Sequence, residues 1–213
     1  MRKLVNVIAV LFLMVAITGE ISAKAPNISS KEREKIEKEC QKEAKKIAKN
    51  IKKAGWTIEE TGLPETIIAN YLEKQRIDGL ETLVGTAEQS ASRSKARSYI
   101  KTKTANEYAQ EQSGVFKGKL DGMDKSSEED AEEKFIKQWE GRYAMEVAGL
   151  IKIGYTQYRK NDNGTVDMEI HFLVDPESAH AAKLAAAKYA IEEQKLDQEW
   201  ANNISEALKD IEP

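Results

Sequence analysis

The chain is predicted to be α+β: a mostly antiparallel sheet with a β-hairpin in its C-terminal half, helices packed on one face, and a helical extension at each end. Three observations predict this. Around Asn161-Asp162-Asn163-Gly164, two runs alternate apolar and polar residues with period two, the signature of a hairpin. Before and after it, apolar residues recur at three- and four-residue steps through strongly charged stretches, which is helical spacing. No internal repeat and no long low-complexity linker breaks the order.

The first residues carry an address. Arg2 and Lys3 form a positive n-region, Leu4 to Ile17 is an almost unbroken apolar run, and Ile21-Ser22-Ala23 is a small-residue cleavage site. That order is a secretory signal peptide over residues 1–23. The apolar run is shorter than the about 20 residues of a membrane-spanning helix, and an uncleaved N-terminal anchor is the alternative. Cleavage is expected after Ala23, because a cut after Ala25 would set Pro26 beside the scissile bond. With no cysteine near the cut, the thiol that carries the lipid of a bacterial lipoprotein is missing, and a free exported chain without an integral membrane segment is expected.

Removing residues 1–23 from the 213 leaves 190, a length at which one domain buries roughly 70% of its unfolded surface and needs no staple. Removing Arg2, Lys3 and Glu20 takes the net charge from −3 to −4. The charges are mixed in sign along the chain, which argues against a nucleic-acid footprint. Cys40 is the single cysteine, so no intramolecular disulfide is possible. It lies on an apolar stripe and reads as a buried thiol, with an intermolecular disulfide as the alternative.

Three segments are expected after the signal: an N-terminal charged amphipathic helix over 24–55, an α+β core over 56–176 and a C-terminal helical segment over 177–213. The first helix opens on a capping box at Ser29-Ser30-Lys31-Glu32. It carries a narrow stripe of Ile36, Cys40, Ala44, Ile47, Ala48, Ile51 and Ala54, and ends at Gly55. So thin a stripe docks onto something: its own domain, a partner or a second copy. Ile47 and Ile51 are the candidate partner contacts. Trp56-Thr57-Ile58 reads as a short strand. Pro64 opens a helix whose buried side is Ile67, Ile68, Tyr71 and Leu72.

Leu83 to Ala91 reads as a strand, though its small residues have weak β-propensity. Ser92 and Ser94 are candidate caps for a long helix with Ala96, Ile100, Thr104, Tyr108 and Val115 on one side. A polar stretch over Gly122 to Asp130 precedes a helix bearing Ala131, Phe135, Trp139, Tyr143 and Val147, the richest aromatic stripe in the chain. In the hairpin, Ile151, Ile153 and Tyr155 alternate with polar neighbours. Val166, Met168, Ile170, Phe172 and Val174 then alternate with Asp167, Glu169, His171 and Leu173, so one face is expected to be buried. An alanine-rich helix follows over Ser178 to Gln194, then a stretch around Trp200, Ile204 and Leu208.

The order of elements from Val84 to Val174 resembles a known family. It begins with the glycine-bearing strand Val84-Gly85-Thr86-Ala87. The serine- and alanine-rich start Ser90-Ala91-Ser92-Arg93-Ser94-Lys95-Ala96-Arg97 leads into a helix with Ala105, Tyr108 and Ala109. A second helix and a hairpin ending in Ile170-His171-Phe172-Leu173-Val174 complete it. This looks like the Lpp-twenty lipoprotein family of bacterial cell envelopes and is similar to the N-terminal module of the flagellar T protein. The resemblance implies a non-enzymatic, envelope-associated domain that works through protein contacts. The lipid-bearing cysteine is absent, the terminal helices lie outside the resemblance, and no functional residue is carried over.

Catalytic chemistry finds little footing. His171 is expected to face solvent or a covering helix, and His180 to lie in the first turn of the following helix. Neither has a zinc-type spacing, so no metal and no cofactor is expected. The acid pairs Glu59-Glu60, Glu128-Glu129 and Glu192-Glu193 read as solvated charge, since adjacency does not oppose two carboxylates across a substrate. There is no glycine-rich phosphate loop and no Gly-x-Ser-x-Gly turn. Asn27-Ile28-Ser29, Asn163-Gly164-Thr165 and Asn203-Ile204-Ser205 match the N-glycosylation pattern, and Asn163 is explained by the positive φ expected of its turn.

The expectation is therefore a non-enzymatic exported protein of the cell envelope, in the periplasm or on the outer membrane of a Gram-negative bacterium. It would act as a protein-binding or assembly module on an envelope partner or itself, and not on nucleic acid. The alternative is a periplasmic carrier of a small lipid or sugar, with a pocket between the sheet and the aromatic helix at Trp139 and Tyr143.

Overall fold

In the computed structural model, described for residues 28–120, 129–194, 196, 201, 202 and 204, four antiparallel strands form one sheet in the order β1-β3-β4-β2. The elements follow as α1 (Ser30–Lys53), β1 (Thr57–Ile58), α2 (Pro64–Arg76), β2 (Glu81–Ser90) and α3 (Arg93–Leu120). Then come α4 (Glu129–Leu150), β3 (Lys152–Lys160), β4 (Val166–Val174) and α5 (Pro176–Gln194). This is the α+β class and the hairpin that the periodicities predict. The signal segment, Ala131's side chain, Trp200 and Leu208 lie outside what is described.

The chain divides into two compact units. A sheet unit runs to Ala105 and resumes over Ala148–Pro176, and a helical unit contains Asn106–Val147 and the chain from Glu177 onward. Helix α1, set apart at residue 55 in the sequence reading, belongs to the sheet unit. Two of the other divisions fall inside the continuous helices α3 and α4, where no turn or change of composition marks them, and the third lies between Pro176 and Glu177 at the start of α5.

In the sheet unit, the hairpin turn closes with Asn161 N–H to Thr165 O at 2.9 Å and Gly164 N–H to Asn161 O at 3.0 Å. Gly164 takes the left-handed backbone, φ +81°, and Asn163 does not. Asn163 acts instead through its side chain, whose Oδ1 accepts from the Thr165 N–H at 3.0 Å and hydroxyl at 2.6 Å.

The strict alternation expected of β3 also fails. The register slips between Ile153 and Tyr155, so Gly154 is the extra residue of a bulge. Ile153 is left 43% exposed, while Tyr155 and Thr156 are both buried.

Helices cover both faces of this sheet, not one. Gly85 pairs with Ile170 across β2 and β4, and a Cβ on Gly85 would collide with Ile100 and Thr104 of α3. Its missing side chain is what lets α3 lie against that face. The next residue of β4, His171, points the opposite way and meets the ring of Tyr71 from α2. A Cβ on Gly154 would strike the same ring. β4 is therefore buried on both sides, Asp167 and Leu173 included, where the alternating pattern predicted one buried face.

Helix α1 starts at the Ser29 cap, whose hydroxyl accepts from Glu32 N–H at 3.3 Å. It ends at Gly55 with φ +76°. Its stripe packs on its own unit: Cys40 and Ala44 are fully buried with Ile68, Ala69 and Leu72 of α2, Tyr155 and Leu173. Burial pushes the Cys40 thiol's pKa up, as the buried-thiol reading expects.

In the helical unit, Phe135, Trp139, Tyr143 and Val147 of α4 are all fully buried. Alanines 179, 182, 186, 187 and 190 give α5 a flat buried side. On α3, Phe116 is buried and Val115, expected on the stripe, is 49% exposed. Two further four-residue steps from Tyr108 lead to Phe116, so the spacing of the first half continues, and Val115 lies one residue off that row.

Two glycine substitutions should move stability in opposite directions. Gly85→Ala forces β2 off α3 and should cost about 1–3 kcal/mol or more. Gly114→Ala, on an exposed helical position with open space around it, should add about 0.5–1 kcal/mol. Urea unfolding of both variants checks this, and equal effects would contradict the close approach at Gly85.

Candidate functional site

Three clusters of polar and aromatic side chains stand out in the sheet unit. The first lies beneath α2. Tyr155 stacks on His171 with centroids 4.0 Å apart and planes 12° from parallel, and Tyr71 meets both rings edge-on at 5.2 and 5.7 Å. His171 Nε2 lies 2.7 Å from Glu169 Oε1, which also accepts from Gln157 Nε2 at 2.5 Å. The hydrogen bond from His171 holds the Glu169 carboxyl below its ordinary pKa.

A histidine oriented by a carboxylate is half of a general-base arrangement. The hydroxyls beside it belong to Tyr71 and Tyr155, and burial raises the pKa of both, keeping them protonated. What the cluster does is join sheet and helix: a polar pair is satisfied under α2 and flanked by stacked rings.

The second cluster closes the hairpin end. Asp167 accepts from Gln89 N–H at 2.9 Å, from Arg159 Nη2 at 2.8 Å and from Asn161 Nδ2 at 2.8 Å. These bonds, the backbone one first, lower its carboxyl pKa to about 2. Among the described residues, Gln89 is the non-glycine residue with left-handed backbone, φ 49°, at the register slip between Ala87 and Ser90. Asp167 thus pins a β-bulge in place, and the guanidinium of Arg159 also covers the ring of Trp56 at 5.2 Å.

Nearby, the pair Glu59-Glu60, read from sequence as solvated, is engaged on both members. Glu59 bridges Arg97 at 2.5 Å and Arg93 at 3.3 Å, and Glu60 Oε2 accepts the Thr156 N–H at 2.9 Å.

The third feature is an open groove. Among the described residues β2 pairs with β4 alone, so its other side is a sheet edge. Beside it, a groove of about 540 Å³ runs between Thr86–Ser90 and the α3 residues Tyr99 and Lys103. Tyr99 is 57% exposed. Lys95, Tyr99 and Lys103 stand one turn apart, one flank of α3 away from its buried Ala96 and Ile100. Sequence reasoning passed over this feature. The available signal was Tyr99, an aromatic off the apolar stripe in a run of cations.

The residues singled out from sequence are placed elsewhere. Ile47 and Ile51 are partly buried and pack against the core of their own unit. Trp139 and Tyr143 are fully buried in the helical unit, stacked on each other at 5.2 Å, with Trp139 Nε1 donating to Lys183 O at 3.1 Å. His180, in the first turns of α5, is half-buried, and burial lowers its pKa. Among the described residues, no group of three or more His, Cys, Asp or Glu is placed to hold a metal ion.

Compared with known proteins, the chain matches no family model, no curated protein and no solved structure.

Two predictions follow from these placements. Replacing both Ile47 and Ile51 with Asp should destabilise the sheet unit by about 2–4 kcal/mol, because charge enters a packed seam. Loss of a partner with unchanged unfolding would instead mark the pair as an interface. Asp167→Ala should cost about 2–3 kcal/mol at pH 7, the worth of charge-assisted bonds. Since the folded carboxyl is shifted down, its stabilisation is complete above the ordinary 3.8 and is lost as pH falls through about 2. The gap in unfolding free energy between wild type and variant should therefore be constant from pH 7 to about pH 4 and shrink below it.

Proposed function

We propose that the protein is an exported component of a bacterial cell envelope, periplasmic or outer-membrane-associated, that works as a protein-binding or assembly module. The observation that carries this reading is the open edge of β2 beside the exposed ring of Tyr99. A strand edge offers a row of backbone donors and acceptors, and another polypeptide is the ligand best suited to them. The leader over residues 1–23 and the resemblance to envelope lipoproteins support the location. The polar clusters under α2 and at the hairpin end are occupied in joining elements of the fold. A carrier of lipid or sugar would need room at Trp139 and Tyr143, and those rings are stacked in the core of the helical unit.

Site-specific photocrosslinking in the native cell tests the reading. A photoreactive residue at Tyr99 should give discrete crosslinked protein species in the envelope fraction, and one at the exposed Glu192 should not give the same species. Recovery of free monomer alone, or of the protein in the cytoplasmic fraction, would count against it.

A further inference from the structure

We propose that the solvent face of the second half of α1 is a docking surface for a membrane that carries anionic lipid headgroups. The inference takes from the reading above only the envelope location and makes no use of the β2 edge. It begins with an asymmetry of charge along one helix. The carboxylates of α1, Glu32, Glu34, Glu37, Glu39 and Glu43, all precede Ala44. Several are matched at four-residue steps, Lys38 to Glu34 at 2.6 Å, Arg33 to Glu37 at 3.1 Å and Lys35 to Glu39 at 4.0 Å. Glu43 is bound to Arg76 of α2. From Ala44 to Ile58 the chain has no carboxylate, and it carries Lys45, Lys46, Lys49, Lys52 and Lys53.

Together with Lys42, these lysines are all exposed, and among the described residues none of them is joined to a carboxylate. At about 100° per residue they fall on one arc opposite the buried Cys40 and Ala44, and the row from Lys42 to Lys53 is about 16 Å long. The helix dipole accounts for Lys52 and Lys53 in the last turn, where its effect is confined. It does not account for Lys42, Lys45, Lys46 and Lys49. The chemistry of the face selects the partner. A protein interface is poor in lysine and needs a desolvated apolar or aromatic anchor, and between Lys42 and Lys53 this arc holds no apolar side chain. Flexible stems bearing hydrated point charges suit a plane of headgroup phosphates, which asks for no fixed donor geometry. The apolar side of α1 is already packed against its own unit, so the helix adsorbs by charge, without insertion.

Co-sedimentation of the purified full chain with vesicles tests this. One set is pure phosphatidylcholine, and in the other about one-third of the lipid is phosphatidylglycerol. The apolar run Leu4 to Ile17, where a preparation retains it, meets both sets alike, so the ratio of the two affinities is the readout. That ratio should exceed about tenfold at low salt and fall toward one as salt is added. Replacing Lys45, Lys46 and Lys49 with Gln should weaken binding to the anionic vesicles at least about tenfold, since each lysine near such a surface contributes about fivefold. The same loss of charge at the exposed Lys101, Lys152 and Lys188 should weaken it less than about threefold. Both triple variants should keep the wild-type circular dichroism. Equal binding to the two vesicle sets, equal losses in the two variants, or displacement from the anionic vesicles by duplex DNA at equal phosphate concentration would each overturn the proposal. The Tyr99 crosslinks that test the assembly reading do not depend on any of these results.

Discussion

The sheet unit depends on one constraint: β4 is buried on both sides, yet every second residue on one of those sides up to His171 is polar. Asp167, Glu169 and His171 could not sit beneath other chain segments without partners, because a buried polar group left unpaired costs about 1–3 kcal/mol. Each has one. Asp167 takes three donors, and Glu169 and His171 satisfy each other, with Gln157 on the same carboxylate. These bonds tie β4 to β3 and to the bulge of β2. The stacked rings of Tyr155 and His171 then receive Tyr71 from α2. The polar row is what allows a helix to lie on a face that the sequence marks as outward.

The opposite face obeys a simpler rule. Val166, Met168, Ile170, Phe172 and Val174 are all buried, and α3 reaches the sheet because Gly85 has no side chain opposite Ile170. Glycine is used here for proximity of two elements, while at Gly164 it serves a left-handed turn.

Much of this was readable in the sequence, and the failures have a common cause. Local rules found α1, its Ser29 cap, the Pro64 start of α2, the hairpin and the aromatic stripe of α4, because each depends on residues within a few turns of one another. What escaped depends on distant segments. An alternation of Asp167, Glu169 and His171 with apolar residues says one face is wet, and only the arrival of Tyr71, about a hundred positions earlier, makes it dry. Glu59 and Glu60 read as solvated until Arg93, Arg97 and the Thr156 amide meet them. The stripe of Ile47 and Ile51 is too thin to say by itself what it docks on, and the two pack, partly buried, against the core of their own unit. The groove was missed for the reverse reason. An open strand edge is a property of sheet order, which no local pattern encodes, and Tyr99 stood out only as a residue that fitted no stripe.

The two edges of the sheet are treated differently, and this bears on how β2 could work. On the β3 side, the two-residue β1 pairs at Thr57 and Ile58. Glu59 N–H then reaches Thr156 O at 3.0 Å, and the Glu60 carboxylate takes the Thr156 N–H. A backbone amide and a side chain thus extend the cover of an edge that a short strand leaves incomplete. On the β2 side, the devices are those that restrict pairing without closing the edge: a bulge held by Asp167 at one end, and charged residues Glu81 and Glu88 along the strand. An edge guarded in this way resists pairing with a second β2. In an antiparallel pair centred between Val84 and Gly85, Glu81 would face Glu88, and like charges opposite one another are destabilising.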